Sequence, residues 1–263
     1  MPSYFHQLHQ QKEPLLLINI WDPASAVLAQ QQGAKAIGTS SAALAWSLGY
    51  KDGEHLPVVE LLAAVKRIQR VNKLPLSVDI ETGYSKDPEQ VAKLVVQLVA
   101  SGVAGINLED GNESPELLCA KIRSCREALA GKELFINART DIYLARLAEG
   151  QTAVELCMQR AALYQAAGAD GLFIPCLTEP LAIQQLCQSI QIPINLMWLA
   201  DLPDKTELAA LGVKRLSYGP ALFLHCYQSL QNEMALLSGS VVAPAEPLSG
   251  ARLEHCYENS AAE

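Results

Sequence analysis

No run in this chain approaches the roughly 20 consecutive apolar residues of a membrane-spanning helix. The first residues, MPSYFHQLHQQKEP, lack the apolar core of a signal peptide, so a cytoplasmic protein is expected. No GxGxxG follows the first strand-like run, which argues against a dinucleotide-binding Rossmann fold. A GxSxG elbow and an HExxH zinc helix are absent too, and His55 and His225 stand isolated. The seven cysteines (Cys119, Cys125, Cys157, Cys176, Cys187, Cys226 and Cys256) include no CxxC pair and are odd in number. Reduced packing thiols fit this better than a disulfide framework or a structural zinc site. Basic residues are in the minority, 20 Lys and Arg against 28 Asp and Glu, for a net charge of −8. That balance disfavours nucleic acid and anionic membrane as partners but leaves room for a small anionic substrate, since a pocket can carry its own positive charge.

What is present is a compact composition. Half of the 263 residues are hydrophobic and only 18% are charged. Eight β-rich runs alternate with helical patterns: 15–20, 34–40, 74–81, 104–110, 134–140, 170–175, 192–197 and 214–219. Between them, 87–102 reads as a helix capped by Asp87, with Pro88 in its first turn, Gly102 at its end, and Val91, Leu94, Val95, Leu98 and Val99 on one face. The stretch 152–170 repeats the plan from Thr152 to Gly168. Strands alternating with helices imply parallel pairing with right-handed crossovers, and eight units favour a closed (β/α)8 TIM-type barrel. The barrel is expected to occupy residues 1–237. The Ser-, Gly- and Pro-containing segment 238–263 is expected to be an extension, with a short helix near LEHCYE, either loose or packed on a neighbouring subunit.

The acids at the strand ends carry the functional signal. In SVDIETG, alternation places Ser77, Asp79 and Glu81 on one face; Asn107 and Glu109 follow in the next strand, and Asn137, Arg139 and Asp141 in the one after. Barrel active sites sit at the C-terminal ends of the strands. Two carboxylates about 6 Å apart repel by about 3 kcal/mol at an effective dielectric near 20. Such a cluster must hold a proton, recruit Arg139 or bind a cation, and an all-oxygen set prefers a hard ion, Mg²⁺ first and Mn²⁺ second. After strand two, Ser40 and Ser41 offer hydroxyls and neighbouring amides for a carboxylate or oxyanion, or form an ordinary turn. Asp52 lies in the loop beyond, Trp21 ends strand one as a pocket wall or a core residue, and Asn195, expected to end strand seven, is a weaker candidate. No Gly-rich phosphate loop follows strand seven.

The stretches NIWDPASAVLAQQQGAKAIGTSSAALAWSLGYKDGE, LSVDIETGYS, GINLEDG and INARTDIYL resemble the isocitrate lyase/phosphoenolpyruvate mutase superfamily, closest to phosphoenolpyruvate phosphonomutase-like members, over about residues 15–225. The resemblance implies a barrel whose last helix is exchanged between subunits of a homo-oligomer, a tetramer or a dimer. It also implies Mg²⁺ and a small 2-oxo or related carboxylate handled through an enolate-like species. By the same resemblance, Ser40, Ser41 and the Ala42 amide match a carboxylate-binding turn, and Asp52 a loop acid near the metal. Asp79 matches a direct ligand, Glu81 a second metal-site acid, and Glu109 an acid that binds through metal waters. Arg139 matches a substrate-binding arginine, with Asn195 a less certain substrate contact. The lyases' K-[KR]-C-G-H loop has no counterpart: that region reads DGNESPELLCAKIRSC, without a Lys between Glu109 and Cys119, and Cys119 is expected on the following helix. C–C bond cleavage of the oxaloacetate decarboxylase or acylpyruvate hydrolase kind needs no such loop and is the leading expectation. P–C chemistry on phosphonopyruvate is the alternative enzyme reading, and a carboxylate-binding barrel without turnover the non-enzymatic one.

Overall fold

The computed structural model of the chain describes residues 3–239 and 247–260. All eight expected strands are there: β1 Leu15–Ile20, β2 Ile37–Thr39, β3 Leu76–Asp79, β4 Gly105–Glu109, β5 Phe135–Arg139, β6 Gly171–Ile174, β7 Ile194–Met197 and β8 Arg215–Ser217. They pair in parallel and in sequence order, and β8 closes on β1. The helices are α1 Tyr4–Leu8, α2 Pro23–Gln31, α3 Ser41–Ser47, α4 Val58–Gln69, α5 Pro88–Ala100, α6 Pro115–Leu129, α7 Gly150–Ala167, α8 Pro180–Ser189, α9 Lys205–Leu211, α10 Ala221–Leu237 and α11 Gly250–Ser260.

α5 shows how the sequence writes this frame. Asp87 accepts a hydrogen bond from the Glu89 amide at 3.0 Å, Pro88 sits in the first turn, and Gly102 leaves the helix at φ +83°. Val91, Leu94, Val95 and Leu98 are buried, each worth about 1.5–3 kcal/mol over exposure. α7 begins two residues earlier than expected. No side chain caps it, and its hydrogen bonding runs back to the Glu149 carbonyl, leaving Thr152 exposed in the first turn.

Across the closed register, odd and even strands fill the interior in alternating layers of four. The odd strands contribute Asn19, Asp79, Arg139 and Met197 near the C-terminal mouth. The even strands contribute Gly38, Asn107, Phe173 and Ser217 beneath, and the odd strands Leu17, Ser77, Asn137 and Asn195 below that. Arg215 rises from the deepest layer to donate to Ser217 Oγ at 3.1 Å and to Asn107 Oδ1 at 3.2 Å, an oxygen that also accepts from Asn137 at 2.9 Å. The opposite end is stoppered by α1. Phe5 and Leu8 pack with Leu15, Leu17 and Phe135, and His9 stacks on Phe135 with ring centroids 4.0 Å apart. Gly105 is obligatory there, because a Cβ would fall 2.5 Å from the Phe5 ring.

One part of the outer wall is thinly covered. Leu16 and Ile18 of β1 and Leu28 and Ala29 of α2 line a cavity of about 870 Å³ that reaches Leu222 at the start of α10. On α10 itself only Phe223 is buried, while Leu230, Met234, Leu236 and Leu237 are exposed.

Candidate active site

Asp79 ends β3 and is buried. Glu81 was expected to continue the same face of an extended strand, but the strand stops at Asp79. The chain turns at Ile80–Gly83 (Gly83 amide to Ile80 carbonyl, 2.8 Å), and Glu81 takes a left-handed conformation, φ +52°. The turn nevertheless keeps Glu81 beside its neighbour: its amide donates to Asp79 Oδ1 at 3.2 Å. Glu54 and Tyr84 are also left-handed, φ +63° and +60°. The three are stitched together. The Glu54 amide donates to Glu81 Oε2 at 2.7 Å, and Glu54 Oε1 accepts from Thr82 Oγ1 at 2.6 Å and the Tyr84 amide at 2.7 Å. Strained non-glycine residues gathered at one spot are a mark of functional sites.

Arg139 ends β5 among the acids Glu109, Asp141 and Asp79. Asp141 grips it with two hydrogen bonds, Oδ1 to Nε at 2.6 Å and Oδ2 to Nη2 at 3.0 Å. On the other side, Nη1 lies 2.6 Å from Glu109 Oε2 in a largely buried ion pair. Burial works against the guanidinium charge, but Glu109, Asp141 and Asp79 outweigh it and hold Arg139 protonated beyond its usual range.

The acids are pushed the other way. Burial raises Asp79, with Arg139 partly opposing, and raises Glu109 well above the usual carboxylate range, again against Arg139. Glu81 is lifted to about 8 by burial and then by Asp52 and Asp79. Asp52, in the loop after α3, is raised by burial and by Asp79, and its Oδ1 is buried without a donor. Five acids and one arginine thus share one low-dielectric space, short of positive charge. Among the described residues no three His, Cys, Asp or Glu side chains form a ready-made metal cage; Glu109 is paired with Arg139, and Glu81 accepts from the Glu54 amide. The donor chemistry still suits a hard cation: every group is a carboxylate, and Asp52 presents a buried oxygen with no hydrogen bond.

The remaining candidates divide. Ser40 is buried, and its Oγ is spent capping α3 through the Ala43 amide at 3.3 Å; Ser41 and Ala42 form the first turn behind it. Trp21 packs edge-on against Phe223, with ring centroids 5.1 Å apart. Asn195 corrects an expectation. β7 runs on to Met197, so Asn195 is its second residue and lies two layers below the mouth, accepting from Ser217 Oγ at 3.1 Å. Asp110 was missed altogether. Fully buried, it accepts from the Asp141 amide at 3.0 Å, Arg160 at 2.6 Å and Tyr164 Oη at 2.5 Å, and so fixes the residue that grips Arg139. Its partners lie 31 to 54 residues away, and no local pattern marks them.

Residues 5–237 match the model of the phosphoenolpyruvate phosphomutase family. The chain belongs to that family. A Burkholderia cenocepacia J2315 crystal structure, provisionally described as a phosphonomutase, is 36% identical at TM-score 0.84, covering 88% of this chain and 97% of its own. The oxaloacetate decarboxylase of Pseudomonas aeruginosa strain UCBPP-PA14 is 29% identical over 245 residues, 86% of this chain and 82% of that enzyme. Phosphonopyruvate hydrolase, solved with oxalate and Mg²⁺, is 23% identical at TM-score 0.77 over 98% of this chain and 95% of its own, a likeness of fold. In this family member the loop after β4 is only residues 110–114 before α6 begins. Cys119 lies buried on α6, as expected for a packing thiol. Lys121, also buried on α6, is turned to Glu113 at 2.5 Å and to the Thr82 carbonyl at 2.8 Å.

Proposed function

We propose that this chain is a Mg²⁺-dependent enzyme that cleaves a C–C bond in a small 2-oxo dicarboxylate of the oxaloacetate type. The observation that carries the reading is the gathering of Asp52, Asp79, Glu81 and Glu109 with Arg139 at the C-terminal mouth of the barrel, with the buried Asp52 Oδ1 left without a donor. Family membership and the likeness to oxaloacetate decarboxylase point the same way. Asp79 is the residue best placed to bind the ion directly, with Glu81, Glu109 and Asp52 around it. When bound, Mg²⁺ supplies Lewis-acid stabilisation of negative charge on the substrate's 2-oxo group.

The chain's own groups do the rest. Arg139 retains N–H donors beyond those spent on Asp141 and pairs with a substrate carboxylate. The 40–42 turn presents backbone amides and the Ser41 hydroxyl to the other end of the substrate. The bond between C3 and the departing carboxylate breaks, its electron pair passes into the C2–C3 enolate, CO2 leaves, and a proton from solvent returns to C3. No loop thiol is required, which fits the buried position of Cys119.

P–C bond chemistry on phosphonopyruvate is the second reading, favoured by the likeness to the Burkholderia protein. One experiment separates the readings: Mg²⁺ is titrated into the protein, and a panel of 2-oxo acids with phosphonopyruvate is followed by NMR. Metal-dependent CO2 and a shortened 2-oxo acid support the proposal. Phosphate release establishes the second reading, binding without product makes this a carboxylate-binding barrel, and no response to metal or acid overturns all three.

The assembly belongs to the same proposal. A homo-oligomer, dimer or tetramer, in which α10 of one subunit covers the β1–α2 groove of the next would account for both the open groove and the exposed apolar residues of α10. A cytoplasmic location suits cysteines that are all free among the described residues. None of the described helices is long and apolar enough to cross a membrane.

A further inference from the structure

The C-terminal helix α11 is not a loose end. It lies against α3, whose first turn holds Ser41 and Ala42. Leu253 and Tyr257 join the cluster of Ala42, Ala43, Trp46 and Phe223. Gly250 allows the close approach, because a Cβ there would stand 2.4 Å from the Trp46 ring. Tyr257 Oη donates to the Trp46 carbonyl at 2.6 Å. One carboxylate oxygen, Glu254 Oε1, accepts from two places at once: Trp46 Nε1 at 2.9 Å and the backbone amide of Asp52 at 3.2 Å.

That second bond reaches into the candidate site. Asp52 and Glu54 share a short loop between α3 and α4. Glu54 is bonded onward to Glu81, Thr82 and Tyr84. A continuous hydrogen-bonded route therefore runs from Glu254 through residues 52–54 to the turn after β3. The strained conformations of Glu54, Glu81 and Tyr84 persist only if their surroundings over-determine them. Glu254 grips this loop directly from outside the barrel, through the Asp52 amide.

We propose that Glu254 is a positioning residue and that α11 is a strap holding the Asp52–Glu54 loop, and with it Glu81, in working order. The inference rests on the assignment of Asp52 and Glu81 to the metal site. Glu254 touches neither substrate nor metal and acts through the Asp52 amide. A carboxylate is not required for this, only an acceptor oxygen at the same reach, so Glu254→Gln should retain the function and Glu254→Ala and Glu254→Asp should lose it.

The test uses the full chain and two independent readouts. Amide hydrogen exchange is measured first. In Glu254→Ala, exchange should rise about tenfold at Asp52–Glu54 and at the Tyr84 amide, beyond the helix itself, with the core strands unchanged. Mg²⁺ affinity and kcat are measured second, and both should fall about tenfold in the Ala and Asp variants and stay within about twofold of wild type in Gln, the scale expected when a site is loosened at a distance. Wild-type exchange at Asp52–Glu54 and Tyr84 in the Ala variant overturns the strap, whatever the metal does. Raised exchange with unchanged Mg²⁺ affinity and kcat overturns the positioning role, as does a Gln variant as impaired as Ala. A wild-type protein that binds no Mg²⁺ defeats the metal-enzyme reading, and with it the positioning role, whereas the exchange result still decides whether the strap exists.

Discussion

Asp141 holds Arg139 in a two-point grip from two residues along the chain, and its own amide is anchored to Asp110 on the neighbouring strand end. The guanidinium at the centre of the site is therefore fixed by a carboxylate that is itself fixed. Asp141→Ala leaves Arg139 to swing toward Glu109 alone. Steady-state kinetics should show KM for the 2-oxo acid raised about tenfold, with kcat affected less, as expected for lost substrate positioning. An unchanged KM would remove Arg139 from substrate binding.

Asp79 carries the metal prediction. Asp79→Asn keeps the shape and removes the charge. Calorimetric titration should show Mg²⁺ affinity reduced about 100-fold or more, since even groups behind the ligands of metal sites cost 10–100-fold when lost. Full metal-dependent turnover in this variant would take Asp79 out of the ligand set.

His9 should make the fold acid-sensitive. Burial lowers its pKa from 6.5 to about 3, with Arg215 adding repulsion. The folded imidazole stays neutral while the unfolded one takes up a proton below pH 6.5, so the unfolded state binds more protons and stability falls as the pH drops through that window. A depressed histidine is worth about 1.4 kcal/mol per pH unit there. In urea unfolding, the stability of wild type relative to His9→Gln should therefore decline by about 2 kcal/mol between pH 7 and pH 5. A difference that does not move with pH would mean that His9 titrates normally.

The exposed apolar side of α10 leads to a prediction about assembly. Leu230→Glu combined with Met234→Glu places charge on an apolar face that is exposed among the described residues of one chain. Sedimentation velocity should show a shift to a smaller species, with barrel circular dichroism retained. A mass unchanged from wild type would mean that α10 does not join subunits.

The barrel was legible because its signals are local. Eight apolar runs of strand length, Asp87–Pro88 before a helix and Gly102 or Gly168 after one are all visible within a few residues of one another. The acids were legible because a period of two put Asp79 and Glu109 at strand ends facing inward. The rest failed where geometry is set from a distance. Glu81 leaves the alternation because the ladder stops at Asp79 and the turn is closed from the Glu54 loop. Asn195 fell to the wrong depth because the level of a side chain depends on the stagger of all eight strands. Arg215, buried across the barrel from Asn107, looks in the sequence like an exposed charge beside Lys214. The anchorage of α11 depends on bonds spanning more than 200 residues.

The stopper at the N-terminal end has a kinetic consequence. With Phe5, Leu8 and His9 wedged against Phe135, the described residues close the N-terminal end of the barrel and leave the carboxylate-lined rim at the other end as the way in. If the proposed cleavage holds, reactant and both fragments pass through that rim. Under the proposed reaction, product leaving through the rim is expected to compete with reactant entering, which product-inhibition kinetics would read.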